Sequence, residues 1–212
     1  MRVIAGRYGG RRLQAPRGRA TRPTSDRVRE ALFSILGDVS RAAVLDLFAG
    51  TGALGIEALS RGAERAVFVE RDSTALAALR ANLTELNLVE PRVQVRPGEA
   101  LAALKAARKS GETYDLVFVD PPYARARQLG AAIASELPDL LRGGARVVVE
   151  SSRRSPVELP LLVVGQRSYG DTTITIHRQP ERETMRTDQD KAAGRGAQAP
   201  ARPEKPAGGA GA

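Results

Sequence analysis

Between residues 43 and 150, short apolar runs alternate with longer segments of helical periodicity, and this alternation constrains the fold more than any other feature. A short apolar run bounded by turn residues is typical of a buried strand, and strands that alternate with helices form a parallel, doubly wound sheet. The sequence therefore predicts strands near 43–48, 66–70, 92–96, 114–119 and 145–150, with helices near 53–61, 73–87, 99–109 and 126–137.

Two further apolar segments, near residues 160–167 and 172–178, are separated by the turn Gly170-Asp171. Because no helix lies between them, we expect an antiparallel hairpin that closes the sheet. The predicted fold is α/β and Rossmann-like, with seven mostly parallel strands and an antiparallel C-terminal hairpin.

A small β-hairpin is predicted at the N-terminus. Residues 2–6 and 11–16 have strand-like patterns and flank Tyr8-Gly9-Gly10, which is typical of a hairpin turn. A helix follows, because Thr24, Ser25 and Asp26 are residue types that cap helices. Its buried face is expected to contain Val28, Ala31, Leu32 and Ile35, widened by Phe33 and Leu36.

Composition divides the chain into three parts. Residues 1–40 form the basic hairpin and helix, and residues 41–179 form the alternating α/β domain. Residues 180–212 are rich in Ala, Gly, Pro and charged residues, with almost no large apolar side chains. Such a composition cannot bury enough apolar surface to fold, so we expect a disordered tail.

Several classes of site are excluded or disfavoured by residue types. The chain has no cysteine, which excludes disulfides, thiolate metal sites and cysteine nucleophiles. His177 is the only histidine and lies in a β-like run, so we expect neither a Ser-His-Asp triad nor a metal site. No apolar segment approaches the roughly 18–20 residues of a membrane span, and no signal-like core is evident. We expect a cytoplasmic monomer.

The net charge of +9 is concentrated at the N-terminus. Residues 1–30 contain nine arginines against Asp26 and Glu30, whereas the remaining chain is nearly neutral. A block of arginines beside a neutral core is typical of a nucleic-acid phosphate contact. The alternative is a solvated basic arm.

A glycine-rich turn connects the first predicted strand to its helix. Gly50, Gly52 and Gly55 match the G-x-G-x-x-G pattern, and Glu70 ends the next strand 18 residues after Gly52. NAD-binding proteins share this pattern, so it identifies a cofactor loop without identifying the cofactor. Asp46, inside the first strand, either orients the loop or meets a cationic part of the ligand, because buried acids need partners. A plain turn with a solvated aspartate is the structural alternative.

A second turn, Gly98-Glu99-Ala100, follows the third predicted strand. In a methyltransferase this turn lies against adenine, where Glu99 and Ala100 contact its amine. Glu99 is almost equally well explained as an acid at a helix N-terminus.

The sequence Asp-Pro-Pro-Tyr at residues 120–123 ends the fourth predicted strand. In open α/β sheets, sites form at the carboxyl ends of the strands, so Asp120 is expected to share a pocket with Asp46 and the glycine loop. The Asp120 carboxylate and the Pro121 carbonyl can accept the N–H bonds of a base amine while Tyr123 stacks on the ring. The alternative is a surface turn with two prolines. The two motifs together predict methyl transfer from S-adenosylmethionine to an amino group, with a rate that comes from positioning and without a metal.

The chain resembles the RsmD-type methyltransferases, which methylate N2 of a guanine in 16S ribosomal RNA. The resemblance covers residues 1 to about 178 and is most specific in Arg-Pro-Thr-Ser-Asp-Arg-Val-Arg-Glu at residues 22–30. It implies a class I S-adenosylmethionine-dependent fold and small-subunit RNA, or its assembly particle, as partner. It also implies base contacts by Asp120, Pro121 and Tyr123, and RNA contacts by Arg7, Arg11, Arg12, Arg22 and Thr24. The implied cofactor contacts are Asp46, Phe48, Ala49, Gly50, Thr51, Gly52, Glu70, Arg71, Glu99 and Ala100.

Four alternatives stay open at this point. A DNA methyltransferase acting on adenine N6 or cytosine N4 would use the same Asp-Pro-Pro-Tyr chemistry on a flipped base, but such enzymes usually carry a larger recognition region. Protein glutamine methylation normally places Asn where this chain has Asp120. An NAD-dependent oxidoreductase and a non-catalytic RNA-binding scaffold fit the Asp120 motif less well.

Overall fold

The structure is a computed structural model that describes residues 1–15, 25–122, 125–153 and 156–181 of the 212-residue chain. Arg22, Thr24 and Tyr123 lie outside the described residues, so their roles stay predictions. The same is true of the tail, of which only Pro180 and Glu181 are described.

The described elements follow the predicted alternation, and most of them end within two residues of the predicted bounds. None of the described helices is both long and apolar enough to cross a membrane. The helices are α1 (Asp26–Leu36), α2 (Ala53–Ser60), α3 (Ser73–Glu85), α4 (Ala100–Lys109) and α5 (Ala126–Glu136). The strands are β1 (Ala43–Asp46), β2 (Arg65–Glu70), β3 (Val93–Pro97), β4 (Tyr114–Val119), β5 (Leu141–Ser152), β6 (Leu162–Tyr169) and β7 (Thr172–Arg178).

The strands form one mixed sheet of seven in the order β3-β2-β1-β4-β5-β7-β6. Strands β1 to β5 pair in parallel, whereas β7 lies antiparallel between β5 and β6. The predicted fold class and closing hairpin are confirmed. Strand β5 begins four residues earlier than predicted, because Leu141 pairs with Tyr114 before a shift in register. The glycines at 143 and 144 interrupt the apolar pattern, so the sequence did not indicate this first part of the strand.

Helices cover both faces of the sheet, and successive strand residues point to opposite faces. Val44 packs on the side of α1, α2 and α3, whereas its neighbour Leu45 packs on the side of α4 and α5. Residues of the four parallel strands at the centre are therefore buried on both sides, which explains their continuous apolar runs.

Helix α1 is oriented differently from the prediction. Ser25 caps it, since its hydroxyl accepts a hydrogen bond from the Val28 N–H at 3.3 Å. Ile35, expected to be buried, is 47% exposed, whereas Arg29 is completely buried beside Leu32. Leu32, Phe33 and Leu36 are buried as predicted, so the prediction was wrong for Ile35 and missed Arg29, because the N-terminal segment covers the side of α1 that carries Arg29. Asp26 occupies the first turn and binds Arg29 rather than capping the helix.

Residues 1–15, the N-terminal arm, pair antiparallel as predicted, but over a shorter length. A single bridge joins Arg2 and Arg12, and backbone hydrogen bonds connect Val3 with Arg11 and with Gly10. Val3 and Leu13 are buried in the core formed with α1, α2 and α3. The arm therefore packs against the α/β domain.

The fully buried carboxylate of Glu57, on α2, holds this arm in place. Its Oε2 accepts the Ile4 N–H at 2.7 Å, and its Oε1 accepts the Ala5 N–H at 3.1 Å and the Arg61 Nε–H at 2.7 Å. The Arg61 cation balances the charge of Glu57, and the three donors give both of its oxygens hydrogen bonds. A buried carboxylate without such partners would be costly. Nothing in the sequence indicated this role for Glu57.

Two further polar residues extend the attachment of the arm. The Ser60 hydroxyl accepts the Tyr8 N–H at 2.9 Å and donates to the Ala5 carbonyl at 2.5 Å. The Asn82 side chain accepts the Gln14 N–H at 2.7 Å and donates to the Thr51 carbonyl at 3.0 Å. Asn82 therefore connects the end of the arm directly to the glycine-rich loop.

We expect Glu57→Ala to lower the free energy of unfolding by about 3 kcal/mol, because it leaves buried donors without a partner. Urea unfolding measures this loss, and hydrogen exchange should show faster exchange at Ile4 and Ala5. The exposed Glu64→Ala is the matched control and should change stability by less than about 0.5 kcal/mol. Equal stability of Glu57→Ala and wild type would contradict this role.

Candidate active site

A cleft of about 650 Å³ opens at the carboxyl ends of β1 and β4. Asp46 on β1 is in register with Phe118 on β4, so the residues that follow both strands meet at one edge, at the switch in strand order. The volume is in the range of cofactor pockets. Ten of the predicted site residues line this cleft, namely Asp46, Phe48, Ala49, Gly50, Thr51, Glu70, Arg71, Glu99, Ala100 and Asp120.

The glycine-rich loop has the conformation that its glycines allow. Gly50 and Gly52 have φ angles of 55° and 83°, a region that other residues rarely adopt. A side chain at Gly50 would project into open space, whereas one at Gly52 would meet Leu79 at 2.4 Å. Gly52 is thus not among the residues that line the cleft, and its role is to pack the turn. Gly55 permits close packing of α2 on Phe68.

Asp46 orients the loop. Its Oδ2 accepts the Gly55 N–H at 3.1 Å inside the first turn of α2, which is the first of the two roles considered for it. Burial, and then the nearby charge of Glu70, raise the pKa of Asp46 to about 7. A cation placed beside Asp46 would lower this pKa and favour the ionised carboxylate.

Glu70 also holds the loop through its side chain. Its Oε2 accepts the Gly50 N–H at 2.8 Å, and its Oε1 accepts the Arg71 and Asp72 N–H groups, each at 2.8 Å. The carboxylate still lines the cleft, so a contact with ribose hydroxyls stays a prediction. The sequence did not reveal that this carboxylate also shapes the loop.

Asp120 stands across the cleft from the glycine loop. Pro121 after it is buried and does not line the cleft, whereas Pro122 is exposed and does. Burial, followed by the carboxylates of Glu150 and Asp46, raises the pKa of Asp120 well above its usual range. An amine that donates hydrogen bonds to Asp120 would favour its ionised form and so oppose this rise in pKa.

Glu99 has a third role that neither of its predictions included. It occupies the N-cap position of α4, as the helix-terminal alternative predicted, but its side chain makes no capping hydrogen bond. Its Oε1 accepts instead from Arg71 at 2.9 Å and from Arg125 at 3.5 Å. These ion pairs connect the ends of β2, β3 and β4 at the mouth of the cleft. The hydrogen bond and charge of Arg71 lower the pKa of Glu99. Contact of Glu99 and Ala100 with adenine stays a prediction.

The arginines proposed for RNA contact lie on the outer surface of the arm. Arg7, Arg11 and Arg12 are exposed, and Arg11 also pairs with Glu85 at 3.8 Å. Met1 lines the cleft, whereas the Arg7 N–H binds the carbonyl of Ser60 at the far end of α2. Because eight helical residues span about 12 Å, the arm runs away from the cleft by that length.

Two arginines at the cleft were missed by the sequence analysis. Arg125 lines the cleft after the Asp120 motif, and Arg29 lines it from α1. The position of Arg125 just after the Asp120 motif could have indicated that it lies at the cleft. Nothing in the sequence indicated this for Arg29, because an arginine on a helix usually faces solvent. Within the described ranges, no group of three or more His, Cys, Asp or Glu residues could hold a metal ion.

Comparison with known proteins identifies the family. The family model described as "Conserved hypothetical protein 95" matches residues 1–178. "Putative rRNA methyltransferase YlbH" of Bacillus subtilis is 39% identical over 187 residues, which cover 84% of this chain and 99% of that relative. Ribosomal RNA small subunit methyltransferase D of Haemophilus influenzae is 34% identical over 163 residues, which cover 76% and 83%. The chain belongs to the RsmD family of methyltransferases.

A solved member of similar structure supports the fold assignment. "Putative methyltransferase yhhF" from Escherichia coli superposes with a TM-score of 0.75 at 34% identity, over 86% of this chain and 99% of that one. The resemblance stated from sequence is confirmed, and so is the methyltransferase class of the fold. Membership of the RsmD family counts against the oxidoreductase alternative and does not favour the DNA methyltransferase.

The raised pKa of Asp46 makes the stability of the protein depend on pH. The pKa of Asp46 is about 7 in the folded protein and 3.8 in the unfolded chain, so the folded protein binds the proton more tightly. The stability that this proton contributes is fully present below about pH 4 and is lost as the pH rises through 7. We expect Asp46→Asn to raise the free energy of unfolding by about 1 kcal/mol near pH 4.5 and by about 4 kcal/mol near pH 8. Urea unfolding at both pH values, without ligand, measures the difference.

The control is Asp139→Asn, whose carboxylate is 61% exposed and pairs only at the surface with Arg108. Its effect should be small at both pH values. A stabilisation by Asp46→Asn that is the same at both pH values would contradict the raised pKa.

Proposed function

We propose that this chain transfers a methyl group from S-adenosylmethionine to the exocyclic N2 of a guanine in 16S ribosomal RNA. The observation that supports the reaction type most strongly is the convergence of Asp46, Glu70 and Asp120 on one cleft beside the open space at Gly50. Membership of the RsmD family supports ribosomal RNA as the substrate class. We place the reaction in the cytoplasm, on small-subunit RNA or its assembly particle.

The residues of the cleft fit this cofactor. A cationic ligand relieves the repulsion between the carboxylates of Asp46 and Asp120, and ribose hydroxyls are suitable donors to Glu70. When bound, S-adenosylmethionine supplies a methyl group on a sulfonium, which is a good leaving group without metal assistance. The protein contributes binding, orientation and the exclusion of water.

Asp120 is the central residue for the acceptor. A guanine amine is a weak nucleophile, because its lone pair is delocalised into the ring. The Asp120 carboxylate accepts a hydrogen bond from one of its N–H groups, and the backbone carbonyl of Pro121, a residue buried between the cleft-lining Asp120 and Pro122, accepts the other, which turns the lone pair toward the methyl group. As the N–C bond forms, the C–S bond breaks with its electron pair staying on sulfur, and the amine proton passes to Asp120. The raised pKa of Asp120 suits it to receive that proton.

We expect Asp120→Ala to reduce methyl transfer by at least about a hundred-fold while leaving the affinity for S-adenosylhomocysteine within a few-fold of wild type. Labelled methyl transfer to under-methylated small ribosomal subunits measures the rate, and mass spectrometry of the nucleosides identifies the product. N2-methylguanosine is the expected product. Asp139→Ala, exposed and at the opposite edge of the sheet, is the control.

Three outcomes would contradict parts of this proposal. A different methylated nucleoside would overturn the guanine-N2 assignment. Methylation of DNA in place of RNA would establish the alternative, a methyltransferase acting on adenine N6 or cytosine N4. Full activity of Asp120→Ala would remove the acceptor platform from the mechanism.

The N-terminal arm is the proposed RNA-docking surface, because Arg7, Arg11 and Arg12 are exposed there. We expect the triple Gln variant to raise KM for the RNA substrate, with little change in S-adenosylhomocysteine affinity. Each lost phosphate contact should also reduce the salt dependence of RNA binding, by a slope of about 0.7–0.9 per contact.

A charge-matched control is available on α4. Lys105, Arg108 and Lys109 are exposed there, on the other face of the sheet from the arm. Their triple Gln variant should keep the KM and salt slope of wild type. Equal weakening of RNA binding by both triple variants would indicate a general charge effect and contradict docking by the arm.

A further inference from the structure

Arg29 is a buried cation with unused hydrogen-bonding capacity. Its side chain is 0% exposed, and yet it lines the cleft. Its Nη2 donates to Asp26 Oδ1 at 2.9 Å and to the carbonyl of Arg2. Its Nε and Nη1 have no hydrogen-bond partner among the described residues.

Unpaired buried donors are costly, and more so on a charged group. Burial lowers the pKa of Arg29, and the charges of Asp26 and Glu57 oppose this shift. Glu57 affects Arg29 only through its charge. The hydrogen bonds that the two oxygens of Glu57 accept come from Ile4, Ala5 and Arg61. The unused N–H groups therefore suit an anion that enters the cleft.

The other arginines that line the cleft are already paired. Arg71 and Arg125 both bind Glu99 at its mouth. Arg29 instead shares the wall with Ala53 and Leu54, the first residues of α2. That helix begins at Ala53, and Gly52 before it offers no side-chain cap, so the N–H groups of Ala53 and Leu54 add a partial positive charge to the same wall.

We propose that Arg29 binds the α-carboxylate of the cofactor's methionine moiety. This inference rests on the proposed function, which supplies the cofactor. S-adenosylmethionine carries two cationic groups, the sulfonium and the α-ammonium, and a single carboxylate. A cleft lined by carboxylates therefore needs a cation at the position of that carboxylate to fix the orientation of the cofactor. Arg29 would provide that cation, and the carboxylates of Asp46 and Asp120 would face the cationic groups.

An RNA phosphate is the competing anion, and the position of Arg29 argues against it. The charges that act on Arg29 are those of Asp26 and Glu57, on the side of the arm, whereas those that act on Asp120 are Glu150 and Asp46. The geometry around Arg29 is also that of α1 and the arm, since its Nη2 binds Asp26 and the carbonyl of Arg2. A backbone phosphate of RNA stays at the protein surface, whereas the α-carboxylate belongs to a ligand that enters the cleft that Arg29 lines.

Calorimetric binding of two ligands to the wild-type protein tests the proposal first. One ligand is S-adenosylhomocysteine, and the other is its decarboxylated analogue, 5′-(3-aminopropylthio)-5′-deoxyadenosine. We expect S-adenosylhomocysteine to bind about ten-fold more tightly or better, because charge-assisted hydrogen bonds to the carboxylate are lost in the analogue. Equal affinities would overturn the proposal without any variant.

The second step assigns the preference to Arg29. In Arg29→Met the ratio of the two affinities should fall to near one, whereas Arg27→Met, an exposed arginine on the same helix, should keep the wild-type ratio. If Arg29→Met does not fold, Arg29→Lys should show an intermediate ratio, because it keeps the charge but loses the guanidinium donors. An undiminished ratio in either Arg29 variant would overturn the proposal.

The same measurements separate this inference from the proposed function. Failure of the wild-type protein to bind either ligand would remove the cofactor, and with it the proposed function. Binding of both ligands with equal affinity would leave the cofactor in place and reject only the role of Arg29.

Discussion

Strand β1 pairs in parallel with β2 on one side and with β4 on the other, and the cleft depends on this position. Chains that leave β1 and β4 pass to opposite faces of the sheet, which leaves a crevice between them. Asp46 and Asp120 end up facing this crevice, where burial raises the pKa of each, helped by the charge of Glu70 at Asp46 and by the charges of Glu150 and Asp46 at Asp120. Without a ligand this arrangement costs stability. A sulfonium and a base amine are the partners that would make it favourable.

The N-terminal arm supports the same cleft. Glu57 fixes the arm on α2, and Asn82 connects its end to the glycine loop at Thr51. The arm backbone also binds Arg29, through the carbonyl of Arg2. One segment therefore carries the arginines proposed for RNA contact and supports the wall of the cofactor cleft. RNA that docks on this segment would lie along α2, about 12 Å in length, and reach the cleft at the end near Met1.

The sequence was sufficient to predict the convergence of Asp46, the glycine loop and Asp120, because functional sites of open α/β sheets form at the carboxyl ends of the strands. It was insufficient for Arg29 and Glu57, since burial of a charged helical residue depends on which segment covers the helix. Ile35 was wrongly placed in the core for the same reason. The partners of Glu99 were also inaccessible, because they come from the ends of two other strands whose separation only the folded sheet determines.

We propose that this cleft holds an adenosyl cofactor with its sulfur directed at Asp120. The first measurement to make is a crystal structure of the protein with S-adenosylhomocysteine. We expect adenine beside the turn at residues 98–100, ribose at Glu70 and the sulfur open toward Asp120. A ligand bound outside the cleft, or bound inside it with the sulfur turned away from Asp120, would contradict this placement.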